Sequence, residues 1–224
     1  MIRPEIVARR IGTERQPVVT IDGFHPDPDA LRATAAVAAF EPARHHYPGV
    51  RAALPADYFA AVRPALGPVL REVFGATATD LLDASFSVVT APPATLSLVQ
   101  RLPHVDGTEA GRLALVHYLS PEDGDGTMFY RHRATRFETI TPARAVAYHA
   151  ALDAELERNG PPPAAYIAGD TASFERIAAV SARYNRAVVY RSALLHSGAI
   201  AADAALSADP AVGRLTVTAF LVAR

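Results

Sequence analysis

The chain has 224 residues, of which 50% are hydrophobic and 20% are charged, an ordinary composition for a globular protein. The 22 basic and 23 acidic residues leave a net charge of −1, which argues against nucleic acid or an anionic membrane as the main partner. The sequence contains neither cysteine nor lysine, so metal–thiolate sites and lysine chemistry are excluded, and any metal must be held by histidine and oxygen ligands.

The first third of the chain predicts a mixture of strand and helix. Residues 17–22 form a β-prone run that ends at a glycine. The sequence Asp27-Pro28-Asp29 is typical of a helix start, and a helix is expected over residues 30–40. A second helix is expected over residues 55–74, although Pro64 and Pro68 interrupt its middle.

From residue 85 onward, short β-prone runs alternate with turns rich in proline, glycine and aspartate. These runs predict strands over residues 85–90, 95–106, 112–120, 127–131, 187–190 and 214–222. Helices are expected over residues 142–158 and 174–182. Short, closely spaced strands favour a sandwich or jelly roll with helices on its outside.

The first ten residues include several charged side chains and lack the apolar core of a secretory signal. Apolar runs of the length needed to cross a bilayer are also absent from the sequence. We therefore expect a soluble, cytoplasmic protein whose partner is a small-molecule substrate.

The run over residues 95–106 carries the most informative pattern. If it is a strand, alternation places Gln100, His104 and Asp106 on one face, together with three leucines. An apolar face that ends in His and Asp just before Gly107 would set two metal ligands at the mouth of an interior. A second imidazole would complete a two-histidine, one-carboxylate triad with open coordination positions.

The C-terminal half supplies candidates for the remaining groups. A β-prone segment leads to His196, and the closing strand carries Arg214, Thr216, Thr218 and Phe220 on one face. If that face points inward, Arg214 needs an anionic partner, because burying a lone guanidinium is costly. Its own strand supplies no carboxylate.

The order His-x-Asp, distal His, then Arg with a hydroxyl residue two positions later resembles the Fe(II)/2-oxoglutarate-dependent oxygenase superfamily. Within it, the chain looks closest to a bacterial branch of unknown function. The resemblance implies a mainly β fold with flanking helices, a double-stranded β-helix (jelly roll, cupin-like). It also implies a single oxygenase domain over residues 1–224. Residues 1–84 would form an N-terminal support, and residues 85–224 the jelly-roll core with a helical insert at about 142–182.

Carried over residue by residue, the resemblance implies that His104, Asp106 and His196 bind Fe(II). Arg214 and Thr216 would hold the distal carboxylate of 2-oxoglutarate, and Gln100 would contact 2-oxoglutarate or the substrate. With O2 as the second co-substrate, the implied reaction is hydroxylation of a small molecule such as an amino acid or natural-product intermediate.

Two features of the sequence bear on that assignment. His196 and Arg214 are 18 residues apart, a longer gap than many members have, and the extra length falls in an Ala/Asp-rich stretch over residues 199–212. Members that halogenate usually replace the carboxylate ligand with a small residue, so Asp106 favours hydroxylation or a related oxidation.

Two other functions use the same sequence features differently. A cupin-like metal enzyme that needs no 2-oxoglutarate would use the triad and leave Arg214 structural. A non-catalytic ligand-binding sandwich would need neither the triad nor the arginine.

Other polar residues are weaker candidates. His117 shares a strand face with three leucines, which favours a packed histidine. The segment Phe129–Arg133 contains aromatic and basic residues. These residues could bind a substrate carboxylate, but a solvated turn is the simpler interpretation. The arginines at 131–136 nevertheless favour an amino acid as the substrate.

Overall fold

The computed structural model describes residues 3–43, 46–201, 204 and 206–224. Its strands are β1 (Glu5–Ile11), β2 (Gln16–Asp22), β3 (Glu41–Pro42), β4 (Gly49–Ala52), β5 (Thr79–Val89), β6 (Arg112–Tyr118), β7 (Gly124–His132), β8 (Phe174–Ala182), β9 (Arg186–Arg191), β10 (His196–Gly198) and β11 (Leu215–Ala223). Its α-helices are α1 (Pro28–Ala36), α2 (Tyr58–Glu72) and α3 (Pro142–Asn159), and two short 3-10 helices span Pro93–Thr95 and Leu98–Arg101.

The strands form two antiparallel sheets. The large sheet has the order β1-β2-β9-β6-β11-β5-β4-β3, and the small sheet has the order β10-β7-β8. From β5 onward the chain crosses repeatedly between them, because β6, β9 and β11 belong to the large sheet while β7, β8 and β10 belong to the small one. This crossing pattern is that of a double-stranded β-helix, so the predicted fold class is confirmed.

The large sheet has two differently used faces, which follow from alternation along β11. Leu215, Val217, Ala219 and Leu221 pack into the same buried cluster as helices α1 and α2. The alternate residues Thr216, Thr218 and Phe220 line a cavity on the opposite face, between the sheets. One face of β11 therefore packs against the helices, and its other face presents polar groups to the cavity between the sheets.

The N-terminal helices begin and end close to their predicted positions. The carboxylate of Asp27 accepts a hydrogen bond of 3.0 Å from the N–H of Ala30 and so caps α1. Helix α2 continues through Pro64 and Pro68. Pro64 is exposed and Pro68 is half-buried, so water can reach the carbonyls that these prolines leave without a donor.

The expected helix over residues 174–182 is wrong, because this segment is strand β8. It pairs antiparallel with β7 over most of its length, from Phe174 opposite His132 to Ala182 opposite Gly124. Only α3 is helical within the insert predicted at about 142–182. The backbone partners that the edge of β7 offers outweigh the helix propensity of the alanines in β8.

The expected strand over residues 95–106 is also wrong. The two short 3-10 helices occupy its first part, and His104 makes only an isolated bridge to His196. Ser97 and Gln100 form a capping box at the second of these helices. That local hydrogen bonding competes with a strand, so alternation does not set the direction of the side chains here.

Candidate metal centre

Backbone hydrogen bonds bring the three predicted ligands together. His104 and His196 exchange N–H···O=C bonds of 2.8 and 2.9 Å, which places their side chains next to each other. The N–H of Asp106 donates to the carbonyl of Ser192 at 2.9 Å, which holds the carboxylate beside the two rings. The three ligands therefore come from two segments about 90 residues apart, joined at one edge of the small sheet.

The donor atoms face a common point. Asp106 Oδ1 lies 3.7 Å from His104 Nε2, and Asp106 Oδ2 lies 3.2 Å from His196 Nε2. All three donor atoms lie within 4.8 Å of one another. His196 Nδ1 must donate to the Leu194 carbonyl at 2.9 Å, which leaves Nε2 with its lone pair free for a metal. Two imidazoles and one carboxylate in this arrangement suit a non-haem Fe(II) site.

The electrostatics of the cluster match that donor set. Burial opposes the ionised form of Asp106, but His196, His104 and Arg112 together outweigh it and lower the pKa of the carboxyl. Burial likewise opposes protonation of His196, and Asp106 nevertheless raises the pKa of that ring. Desolvation where the ring faces the cluster, followed by repulsion from His196, lowers the pKa of His104, although half of its side-chain surface is exposed. At neutral pH the site therefore offers an ionised carboxylate and a neutral His104, and a metal would have to displace the proton that Asp106 favours on His196.

A cavity of about 630 Å³ lies against the triad, within the range of small-molecule sites. His104, Asp106 and His196 line it, and so do the alternate residues of β11. Arg214, Thr216, Thr218 and Phe220, which alternation puts on one face, all line this cavity, so that face points inward.

Arg214 lies in this cavity without the carboxylate partner that its burial calls for. Its Nη2 donates to the Gly126 carbonyl at 2.9 Å, and its guanidinium lies 5.6 Å from the centre of the Tyr118 ring. Its Nε is buried and has no hydrogen-bond partner among the described residues, which also place no carboxylate in ion-pair contact with it. A buried cationic donor left in this state fits an anionic ligand.

Tyr47 is a polar residue of the same cavity that sequence reasoning missed. Its buried hydroxyl makes no hydrogen bond of normal geometry to a described residue, although the Thr216 and Ser87 hydroxyls lie near it, and burial raises its pKa while Arg214 acts in the opposite direction. Thr216 also lines the cavity, where its hydroxyl donates to the Ser87 carbonyl at 3.2 Å. Tyr47 precedes Arg214 by more than 160 residues, and only the fold brings them together, so the local sequence carried no signal.

Gln100 also lines the cavity, but both ends of its amide are already bonded. Its Oε1 accepts from the Ser97 N–H at 2.8 Å, and its Nε2 donates to the His46 carbonyl at 2.9 Å. The strand that was expected to direct it beside the ligands does not form. Its contact with 2-oxoglutarate or substrate stays a prediction.

His117 packs away from the cavity, as predicted. It is fully buried, with Nδ1 3.1 Å from the Tyr58 hydroxyl and Nε2 3.0 Å from Asn185 Oδ1. Desolvation lowers the pKa of His117 to about 3, so the ring stays neutral in the core.

The aromatic and basic segment around Arg131 is buried strand β7 as far as His132, and only Arg133 lies in the exposed turn that follows. Arg131 is buried and pairs with Glu138, and its Nη1 lies 2.9 Å from Glu175 Oε2. Glu138 also accepts hydrogen bonds of 2.9 Å from the backbone N–H groups of Thr13 and Glu14. The segment therefore ties the turn after β1 to the small sheet, and it gives no support for an amino-acid substrate.

Comparisons with known proteins leave the activity open. A family model described as "Family of unknown function (DUF6445)" matches residues 2–221. No curated protein matches the chain. In the described residues, none of the helices combines the length and apolarity that crossing a membrane demands.

Solved structures with a similar backbone fold include HygX from Streptomyces hygroscopicus with nickel, 2-oxoglutarate and hygromycin B bound. It is 15% identical, with 94% of this chain and 84% of that chain covered and a TM-score of 0.48. EctD from S. alaskensis with bound Fe is 12% identical, with 98% and 84% covered and a TM-score of 0.42. What this chain does therefore has to be inferred from its own side chains.

Proposed function

This chain belongs to the DUF6445 family, whose function is unknown, and we propose that it is an Fe(II)- and 2-oxoglutarate-dependent oxygenase acting on a small molecule. One observation carries the proposal. The His104, Asp106 and His196 donors converge within 4.8 Å on a cavity that also holds Arg214, a buried cationic donor without an anionic partner among the described residues.

The donor set fits iron. His104, Asp106 and His196 would hold Fe(II), and three protein ligands leave coordination positions for a co-substrate and O2. The Leu194 carbonyl fixes the tautomer of His196 at 2.9 Å. The ring of Tyr190, 4.8 Å from that of His196, packs against it and keeps its orientation.

The interior of the cavity fits a dicarboxylate. Arg214 would bind the distal carboxylate of 2-oxoglutarate, with Thr216 beside it on the same face of β11. The Tyr47 hydroxyl would donate to the same carboxylate, which would give its buried O–H a partner. The Gly126 carbonyl holds the Arg214 Nη2 at 2.9 Å and leaves Nε for the ligand.

Iron bound with 2-oxoglutarate supplies an oxidation in which O2 is consumed, the oxo acid becomes succinate and CO2, and a C–H bond of the substrate is hydroxylated. The residues of this chain orient the bound groups and limit the access of water. Val105, Leu102 and Ile167 line the cavity with apolar surface beside the triad. Such surface disfavours competing reactions with solvent.

The test is a titration without oxygen. Apo-protein is loaded anaerobically with Fe(II), 2-oxoglutarate is added, and the visible metal-to-ligand charge-transfer band is followed. We expect the band in the wild-type protein and its loss in His104→Ala. A wild-type protein that binds Fe(II) but gives no band would contradict the proposal and favour the cupin-like enzyme without 2-oxoglutarate. A protein that binds no metal would favour the ligand-binding sandwich.

A further inference from the structure

Arg112 is a second arginine in the cavity whose charge the proposed reaction does not use. It lines the cavity at the start of β6, and its buried Nε has no hydrogen-bond partner in the described part of the chain. Its guanidinium carbon lies 5.4 Å from the centre of the Phe220 ring, which also lines the cavity. A buried guanidinium donor in a binding cavity is costly until a ligand meets it.

Arg112 and Arg214 lie at opposite ends of the cavity. Arg112 is opposite Val222 on β11, eight residues along the strand from Arg214. At about 3.3 Å per residue, their backbones are about 26 Å apart along the strand. The distal carboxylate of 2-oxoglutarate, if held by Arg214, would therefore lie at the end of the cavity away from Arg112.

Arg112 lies on the metal side of the cavity. The N–H of Ser192 donates to the Arg112 carbonyl at 2.9 Å, and the Ser192 carbonyl accepts from the N–H of Asp106 at 2.9 Å. One residue thus links the backbone of Arg112 to that of a metal ligand. Gly107, next to that ligand, leaves room for the arginine, since a Cβ at Gly107 would lie only 2.5 Å from Arg112 Cδ.

Of the three arginines among the described lining residues, Arg112 is the one with neither an ion pair nor an assigned ligand, although its charge also acts on Asp106. Arg51 lies 3.3 Å from Asp83, and Arg214 is assigned to the oxo acid. Asp106 is assigned to the metal. Glu109 Oε2 and Arg112 Nε lie 2.8 and 2.9 Å from the position that a Cβ of Gly107 would take, yet Arg112 Nε makes no hydrogen bond to that carboxylate.

We propose that Arg112 binds a carboxylate of the substrate at the mouth of the cavity, so that the substrate class is small molecules bearing one carboxylate on an apolar body. The single guanidinium matches one negative charge, and the Glu109 carboxylate beside it disfavours a second. The Phe220 ring beneath the guanidinium and the aliphatic groups around it fit an apolar body. This inference rests on the proposed function.

The experiment measures the binding of a matched pair of probes, benzoate and benzamide, which have similar size and differ in charge. The protein is loaded anaerobically with Fe(II) and saturating 2-oxoglutarate, so that Arg214 is occupied and no turnover occurs. Calorimetry gives the dissociation constants, and a shift of the charge-transfer band reports whether the probe lies near the metal. Arg112→Gln and Arg112→Lys are compared with the wild type.

We expect benzoate to bind the wild-type complex at least about tenfold more tightly than benzamide, as a charge-assisted hydrogen bond provides. Arg112→Gln should bind the two probes equally while keeping the charge-transfer band, and Arg112→Lys should fall between. The control Arg191→Gln removes the same charge from an arginine outside the cavity lining, whose Nη1 donates to the Ala110 carbonyl, and it should keep the preference.

Equal binding of the two probes to the wild type, no binding of either, or a preference that survives in Arg112→Gln would overturn the inference. These outcomes are distinct from failure of the proposed function, which is seen earlier as a wild-type protein that forms no charge-transfer band. That earlier failure removes the inference as well.

Discussion

Replacing Arg214 with glutamine removes the guanidinium assigned to the distal carboxylate of 2-oxoglutarate. In the structure this side chain keeps one hydrogen bond of 2.9 Å, to Gly126, and leaves its buried Nε to a ligand. A hydrogen bond between charged groups contributes about 1.5–3 kcal/mol. At about 1.4 kcal/mol for each factor of ten, the dissociation constant for 2-oxoglutarate should rise about 10- to 150-fold in Arg214→Gln.

The charge-transfer band measures this effect directly, because its amplitude at a fixed Fe(II) concentration gives the occupancy of 2-oxoglutarate. Arg214→Lys keeps the charge but lacks the planar fork, so its dissociation constant should lie between those of wild type and Arg214→Gln. Arg176→Gln is a matched control, since Arg176 is exposed on β8 and does not line the cavity. It should titrate as the wild type does.

The reasoning is refuted if Arg214→Gln binds Fe(II) normally and its band reaches half-amplitude at the wild-type concentration of 2-oxoglutarate. That result would mean that another group holds the distal carboxylate. A loss of Fe(II) binding in the same variant would also count against it, because Arg214 is assigned to the oxo acid alone.

Three further changes test the surroundings of the site and the fold. Tyr47→Phe should raise the 2-oxoglutarate requirement about 2- to 10-fold in the same titration, since one neutral hydrogen bond is lost; unchanged half-saturation would remove Tyr47 from the site. Glu138→Gln should lower the free energy of unfolding by about 3–5 kcal/mol near pH 7, because it leaves the buried Arg131 without its charge partner. Hydrogen-bond donors lower the pKa of Glu138 despite its burial, so its stabilising effect is complete above its ordinary pKa of 4.5 and is lost as the pH falls through the lower pKa of the folded state. In urea titrations across that pH range, the free energy of unfolding should therefore fall less with decreasing pH in the variant than in the wild type. An equal dependence of the free energy of unfolding on pH in the two proteins would contradict this. Leu113→Ala should cost about 2–5 kcal/mol in urea unfolding because Leu113 is fully buried, whereas Leu81→Ala, at a half-exposed position, should change little.

The candidate metal ligands could be identified from the sequence because residue type and order along the chain are enough to indicate them. His104, Asp106 and His196 come together as a cluster, and the alternation of β11 correctly directs Arg214 and Thr216 into the cavity. Alternation works for β11 because it is a central strand, paired on both sides by β5 and β6. Residues 216–222 pair on both sides, so two ladders fix their direction, and Arg214, which directly precedes β11, continues the same alternation.

The same rule fails for the segment that carries the first two ligands. His104 and Asp106 were placed on one face of a strand, yet their common direction comes from separate backbone bonds to His196 and Ser192. Ser97 and Gln100 favour a capped 3-10 turn, but this preference is only a weak signal in the sequence. The ligands are therefore brought together by long-range pairing, which no short pattern encodes.

Long-range charge pairing explains why the sequence pattern misleads for Arg131 but not for the exposed Arg133 and Arg136. The basic neighbours of Arg131 in the sequence favour a surface turn or a substrate dock. In the fold Arg131 pairs with Glu138 and with Glu175, 44 residues away, and lies buried on β7. A buried arginine is stable only with such partners, and their arrival depends on the pairing of β7 with β8.

The most direct measurement is the crystal structure of protein grown anaerobically with Fe(II) and 2-oxoglutarate, with anomalous data collected at the iron edge. The account predicts a single strong anomalous peak bonded to His104 Nε2, His196 Nε2 and a carboxylate oxygen of Asp106. It also predicts 2-oxoglutarate that extends from this peak to Arg214. Iron bound elsewhere, or 2-oxoglutarate absent from the cavity while iron occupies the triad, would contradict the account.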